Sequence, residues 1–216
     1  MSSETLILCM TAFSIGLVHT ILGPDHYLPF VAMSRADGWT GRKTLGVTIA
    51  CGLGHVAGSV AIGGCGLMLG TAVMQLEWLE SLRGDLAAWL LIGFGLASLA
   101  WGLKRGGCEV HAADGGVAAS HAVSAWTPWL AFLVFVFGPC EPLIPLLMVP
   151  AARADAGAVA AVVAAFAVAT VGTMALAVMA MRYGLSCVPL PSLGRFSHAL
   201  AGLAILVCGV LVKVGL

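Results

Sequence analysis

The chain predicts an all-α fold, a polytopic membrane helix bundle, on three observations. Its 216 residues are 60% hydrophobic and 9% charged, with a mean hydropathy of +1.03, a composition far outside the range of soluble domains. The apolar residues gather into six runs bounded by charges or by Pro and Gly clusters, each able to cross a hydrocarbon layer about 30 Å thick. Two of these runs, the first and the fourth, are interrupted by the same Gly-Pro step beside polar residues.

The runs cover about 5–33, 44–74, 86–103, 126–150, 156–181 and 196–215. The first lacks a basic leader and a small-residue cleavage site, so it reads as a retained helix, not a signal peptide. The second carries Gly54 and Gly58, which let a neighbouring helix approach closely. The third is bounded by Asp85 and Lys104, and the fourth is opened by Gly138-Pro139. The fifth and sixth are Ala- and Val-rich runs separated by Pro189 and Pro191. The expectation is a single transmembrane domain over 1–216: a first repeat at about 5–103, a cytoplasmic linker at about 104–124 and a second repeat at about 126–216.

Net charge is +0, which speaks against nucleic acid as a partner. The basic residues alternate by connection. Arg35, Arg42, Lys43, Lys104, Arg105, Arg182 and Arg195 fall on one side, and Arg83, Arg153 and Lys213 on the other. By the positive-inside rule both termini face outward, on the periplasmic side of a bacterial inner membrane. Membrane lipid is then an expected partner, and a homo-oligomer is compatible with the sequence.

Aligning Gly23-Pro24-Asp25-His26 with Gly138-Pro139-Cys140-Glu141 gives an offset of 138 − 23 = 115. The same offset lays the second run on the fifth and the third on the sixth, and pairs Met33 with Met148. Three spans per half force the copies to cross in opposite directions, so the chain reads as a 3+3 inverted repeat with Gly-Pro-broken helices 1 and 4. That architecture belongs to secondary transporters, whose sites lie near the midplane at such breaks. An ordinary Pro kink is the plainer alternative.

The ligand candidates cluster at these breaks. An ionisable side chain in a span costs roughly 2.5–3.5 kcal/mol on insertion scales and is kept where it has a partner or a task. His19, Asp25 and His26 fall within eight residues. In an unbroken helix His19 and His26 stand about 10.5 Å apart along the axis, too far for one ion at bond lengths near 2.0–2.1 Å. Unwinding at 22–24 brings them together. His55, beside Gly54 in the second run, is a fourth ligand or an interhelical hydrogen-bond donor. Cys140 and Glu141 are the contributions expected from the second repeat.

The remaining cysteines, Cys9, Cys51, Cys65, Cys187 and Cys208, read as small apolar packing residues, since no CxxC spacing is present. The linker with Cys108, Glu109, His111, Asp114 and His121 reads as a plain Gly- and Ala-rich connection or a place to pass metal on. His198 reads as a helix-end histidine.

The motifs His19…Asp25-His26, Gly54-His55 and Gly138…Glu141, in this order and on separate spans, resemble those of nickel/cobalt transporters. In layout the whole chain is similar to small six-span proteins of the TauE/SafE sulfite-exporter and urease-accessory transmembrane families, within a LysE-like superfamily. The chain departs from the nickel/cobalt pattern in having five residues between His19 and Asp25 where four are usual, Pro139 and Cys140 where Asp and Thr stand, and Val18 where a basic residue often precedes the His. The resemblance implies transport of a divalent transition-metal cation, nickel or cobalt first, with zinc and copper open.

Imidazole, carboxylate and thiol donors suit such ions better than the all-oxygen preference of Mg or Ca. Export of sulfite or a small organic anion is the alternative implied by the family layout, although Asp25 and Glu141 make a poor host for an anion. Electron transfer like that of the related thiol-reductant carriers needs two sulfurs, and the partner position of Cys140 is Asp25. No catalytic constellation or nucleotide motif is present, so neither an enzyme nor a prosthetic cofactor is expected.

Overall fold

In the computed structural model, the described residues are 2–68, 73–108, 129, 132–136, 138, 142–153, 155–186 and 196–214. They form helices and turns and no strand. The helices are α1 (Ser3–Leu22), α2 (Leu28–Ala36), α3 (Gly41–Met68), α4 (Val73–Cys108), α5 (Leu143–Ala152), α6 (Ala156–Ser186) and α7 (Ser197–Val214), with a 3-10 turn at Pro24–His26. A short helical piece covers 132–136.

Side-chain oxygens start the helices where the sequence offers them. Ser2 Oγ accepts the amide of Thr5 at 3.2 Å, Thr40 Oγ1 that of Lys43 at 3.2 Å, and Asp155 Oδ1 that of Ala158 at 2.9 Å, each satisfying an orphan N–H of a first turn. α2 ends in a Schellman turn. The amide of Trp39 donates to the carbonyl of Ser34 at 2.9 Å across Gly38, whose φ of 63° favours glycine.

Among the described residues, five helices are long and apolar enough to cross a membrane: Ser3–Leu22, Gly41–Cys65, Ser81–Lys104, Ala156–Leu185 and Ser197–Val214. Of the expected fourth run, residues 126–128, 130, 131, 137 and 139–141 fall outside the described residues, Cys140 and Glu141 among them, as do Cys187, His111 and His121. Two boundaries differ from expectation. The first run is two helices joined by a turn, because Pro24 lacks an amide hydrogen and crowds the preceding turn. α4 begins well before residue 86 and continues into the expected linker as far as Cys108, since Leu, Glu, Met and Gln around residues 73–80 are good helix formers. α3 is described as far as Met68, and residues 69–72 lie outside the described residues.

Polarity is arranged for an apolar surround. Thr20, Thr44, Thr48, Ser59, Thr170, His26 and His55 are buried, while Ile7, Met10, Leu22, Val168 and Leu176 face outward. Two of the buried hydroxyls are satisfied by the preceding turn, Thr20 donating to the Gly16 carbonyl at 2.8 Å and Thr48 to that of Thr44 at 2.9 Å, whereas Thr170 Oγ1 has no partner among the described residues. Cys51 and Cys208 pack in the interior as expected, Cys9 is half-buried, and Cys65 instead lies on the outer surface.

α4 packs along α7 and α1 along α6 in the most extensive contacts, and α3 also lies on α6. The α4–α7 seam is made by Gly95 and Gly102 on one helix and Gly202 and Gly209 on the other. Both pairs are spaced by seven residues, so they repeat on one face and let the backbones touch. A Cβ on Gly95 would stand 2.5 Å from the Leu206 amide nitrogen, and one on Gly209 2.8 Å from that of Ile92.

Contacts sort the charged residues to two ends. Glu4 pairs with Arg153, and Lys213 with Asp85 at 2.6 Å. At the other end Arg35 donates to the Leu185 carbonyl at 2.6 Å, Arg182 donates to Ser34 Oγ, and His198 Nδ1 lies 3.8 Å from Asp37. His198 thus sits at a helix start, edge-on to Trp101 at 5.1 Å.

Gly95→Ala is expected to lower the thermal midpoint of the detergent-solubilised protein, corresponding to about 1–3 kcal/mol of overpacking. Gly93→Ala, whose Cβ meets nothing within 4 Å, should leave it unchanged. Equal behaviour of the two variants in a melting assay would contradict the close approach of α4 and α7.

Candidate metal centre

The centre is assembled by the break in the first apolar run. α1 closes with the Gly23 amide donating to the His19 carbonyl at 3.0 Å. Gly23 is then extended (φ −87°, ψ 95°) before Pro24, and the 3-10 turn Pro24–His26 swings His26 back toward His19. The two rings meet edge to face with centroids 4.7 Å apart, and His26 meets His55 of α3 at 5.4 Å. One ring nitrogen from each of His19, His26 and His55 lies within 4.8 Å of the others.

The break is paired internally. The His26 amide donates to the Gly23 carbonyl at 3.1 Å, the Tyr27 amide to that of Pro24 at 3.3 Å, and the Tyr27 hydroxyl to that of Ile21 at 3.3 Å. Such pairing is what non-helical backbone at membrane depth requires. Gly23 is needed for space, not for its dihedrals: a Cβ there would stand 2.5 Å from His26 Nδ1 and 2.9 Å from Asp25 Oδ1. Gly138 has the same relation to the other ring, its Cβ position lying 3.2 Å from His55 Nδ1.

The ring orientations follow from acceptors. His26 Nδ1 lies 3.1 Å from the Gly23 carbonyl and 3.2 Å from Asp25 Oδ1, and His55 Nδ1 lies 3.1 Å from the Phe135 carbonyl. Each Nδ1 faces only acceptors in these bonds, so it carries the hydrogen, and in the neutral ring Nε2 holds the lone pair. The Nε2 atoms of His19, His26 and His55 are buried without a hydrogen-bond partner among the described residues. Leaving a buried polar atom unpaired costs about 1–3 kcal/mol, and a cluster of three rings with such atoms could hold a metal ion. The residues fit that group: Nδ1–H held by a carboxylate or carbonyl, with Nε2 free, is the usual way a metal-binding imidazole is fixed.

Of the six residues singled out from the sequence, the structure brings His19, His26 and His55 together. Asp25 stands beside His26 Nδ1, where it orients the ring. Cys140 and Glu141 lie outside the described residues. A cavity of about 20 Å³ lined by Asp25, His26, His55, Phe135 and Gly138 adjoins the cluster, room for about one water-sized species. His26 and His55 are only 3% and 2% exposed, so the centre is occluded.

Sequence reasoning missed two contributors. Arg83, counted there as a loop charge, is a residue of α4 and is 8% exposed. It donates to Ser59 Oγ at 3.3 Å and to the Val136 carbonyl at 2.5 Å, tying the 132–136 piece that positions His55 to α3 and α4. Its signal was the helix-forming stretch on its N-terminal side, which places Arg83 inside a helix. The Phe135 carbonyl left no signal, since a backbone acceptor carries no residue signature. Gly54 and Gly58 do what their spacing predicted: Cβ atoms there would stand 2.9 Å from Val136 Cγ2 and from the Val136 carbonyl oxygen, respectively. Comparison of the chain with protein-family models, with curated proteins and with solved structures gives no match.

Proposed function

We propose that the chain is a secondary carrier of a divalent transition-metal cation, nickel or cobalt first, whose cargo binds His19, His26 and His55. The observation that carries this reading is the convergence of three imidazoles, His26 and His55 buried and His19 half-buried, whose buried Nε2 atoms have no partner among the described residues. Three nitrogen donors favour Ni, Co, Zn or Cu over Mg or Ca. Bonds near 2.0–2.1 Å to one tetrahedral ion need nitrogens about 3.4 Å apart, so the cluster tightens on loading. Asp25 offsets part of the cargo's charge and holds the His26 ring. Cys140 and Glu141 complete the shell from the second half.

The 3+3 inverted repeat supports transport. α5 begins at 143 and α2 at 28, α6 at 156 and α3 at 41, and both pairs differ by 115 (143 − 28 and 156 − 41). The caps Thr40 and Asp155 stand at the same offset. The two halves rock about the centre to expose it alternately, with the Arg35 and Arg182 end cytoplasmic and both termini periplasmic in a bacterial inner membrane. Because ligand imidazoles must be neutral, loading is linked to proton release.

Purified protein is expected to bind about one Ni, Co, Zn or Cu ion per chain in elemental analysis and competition titration. His26→Ala and His55→Ala should lose it. Asp25→Asn should keep the ion but weaken it by about 10–100-fold, the usual effect of removing an orienting partner. Gly23→Val should weaken binding at least as much, since it displaces His26. In proteoliposomes the native chain should move the bound metal and His26→Ala should not. No metal in any preparation, together with heat protection by sulfite or an organic acid, would transfer the assignment to an anion exporter.

A further inference from the structure

The largest cavity among those described, about 480 Å³, lies away from the histidines, between the end of α2 and the last turns of α6. Arg35, Arg182, Ser34, Trp39 and Tyr183 line it, and no carboxylate does. Arg182 is half-buried and Arg35 is exposed. Among the described residues each makes one hydrogen bond, Arg35 to the Leu185 carbonyl at 2.6 Å and Arg182 to Ser34 Oγ, which uses one of five donors. A third cation stands behind them, with Lys43 Nζ 4.8 Å from the Trp39 ring centre. Asp37, the carboxylate nearest in sequence, is taken by His198 at 3.8 Å.

Trp39 gives an independent pointer. It is 3% exposed, and its indole Nε1 is buried without a hydrogen-bond partner. The Schellman turn through Gly38 fixes it there. Like charges gathered without an acid repel unless an anion joins them, and the residue in the wall beside them holds a buried N–H donor unpaired among the described residues.

We propose that this cavity is a binding site for a phosphate group, with Arg35 and Arg182 as charge partners and Trp39 as the neutral donor. Guanidinium forks match phosphate oxygens, and a basic pocket between helices at the end of a bundle is suited to a phospholipid headgroup as well as to a soluble phosphate. The site is separate from the histidine centre and does not rest on the metal reading.

The full-length protein is melted in neutral detergent against inorganic phosphate, with chloride at equal ionic strength as control. It is melted again in nanodiscs of phosphatidylcholine with and without phosphatidylglycerol. At least one probe should raise the midpoint. A response to phosphate alone assigns a soluble ligand, and a response to phosphatidylglycerol assigns a headgroup. Trp39→Phe, which keeps the ring in place, should weaken the response about tenfold. Arg35→Gln with Arg182→Gln should abolish it, and His26→Ala should leave it intact. No shift with either probe, an undiminished shift in Trp39→Phe, or loss of the shift in His26→Ala would overturn the proposal.

Discussion

The centre depends on one interruption of backbone hydrogen bonding. Along a continuous helix His19 and His26 would share a face at about 10.5 Å. Pro24 ends α1, Gly23 turns extended, and the rings come to 4.7 Å. Everything nearby serves that turn. Gly23 leaves room for the His26 ring, its carbonyl accepts both the His26 amide and Nδ1, and Tyr27 reaches back to the last turn of α1. Because the break is sealed by its own groups, it leaves Nε2 of His26 as the atom in need of a partner.

Much of this was legible in the sequence, for physical reasons that also mark where legibility ended. Composition and run length determine an apolar helical chain, and the 10.5 Å separation already required the helix to break where Gly23-Pro24 stands. Small residues at Gly54 and Gly58 announced a close neighbour, and the 132–136 piece fills that place. The start of α4 was misjudged because hydropathy falls at Glu77, Glu80, Arg83 and Asp85 while helix propensity does not. Hydropathy reports solvent and propensity reports conformation, and Arg83 lies where the two disagree. The orienting role of Asp25 and the Phe135 carbonyl could not be read, because they depend on which ring nitrogen faces which acceptor.

The second organising constraint is the inverted distribution of polarity. Hydroxyls and imidazoles occupy the interior, and Leu, Val and Ile cover the outside. With apolar solvent outside, burial of apolar surface contributes little between helices, and association rests on close packing and polar pairing. The glycine seam of α4 and α7 provides the first. Ser34 with Thr44 at 2.8 Å, and Arg83 with Ser59 and Val136, provide the second.

These ties bear on how an occluded centre is filled. His26 and His55 are buried. On one side of the bundle, Arg83 holds the 132–136 piece, whose Phe135 carbonyl fixes His55. On the other, Arg35 and Arg182 hold the end of α2, the helix that follows His26, against α6. Each tie joins a cation to a backbone carbonyl or a hydroxyl, a charge-assisted hydrogen bond. On the proposed carrier reading, opening one side would release one set while the other holds. Release of the Arg83 tie would free His55, and release of the Arg35 and Arg182 ties would free the element that follows His26. Access from either side would then loosen one ring of the cluster, and the movement that admitted a cation would also weaken its hold.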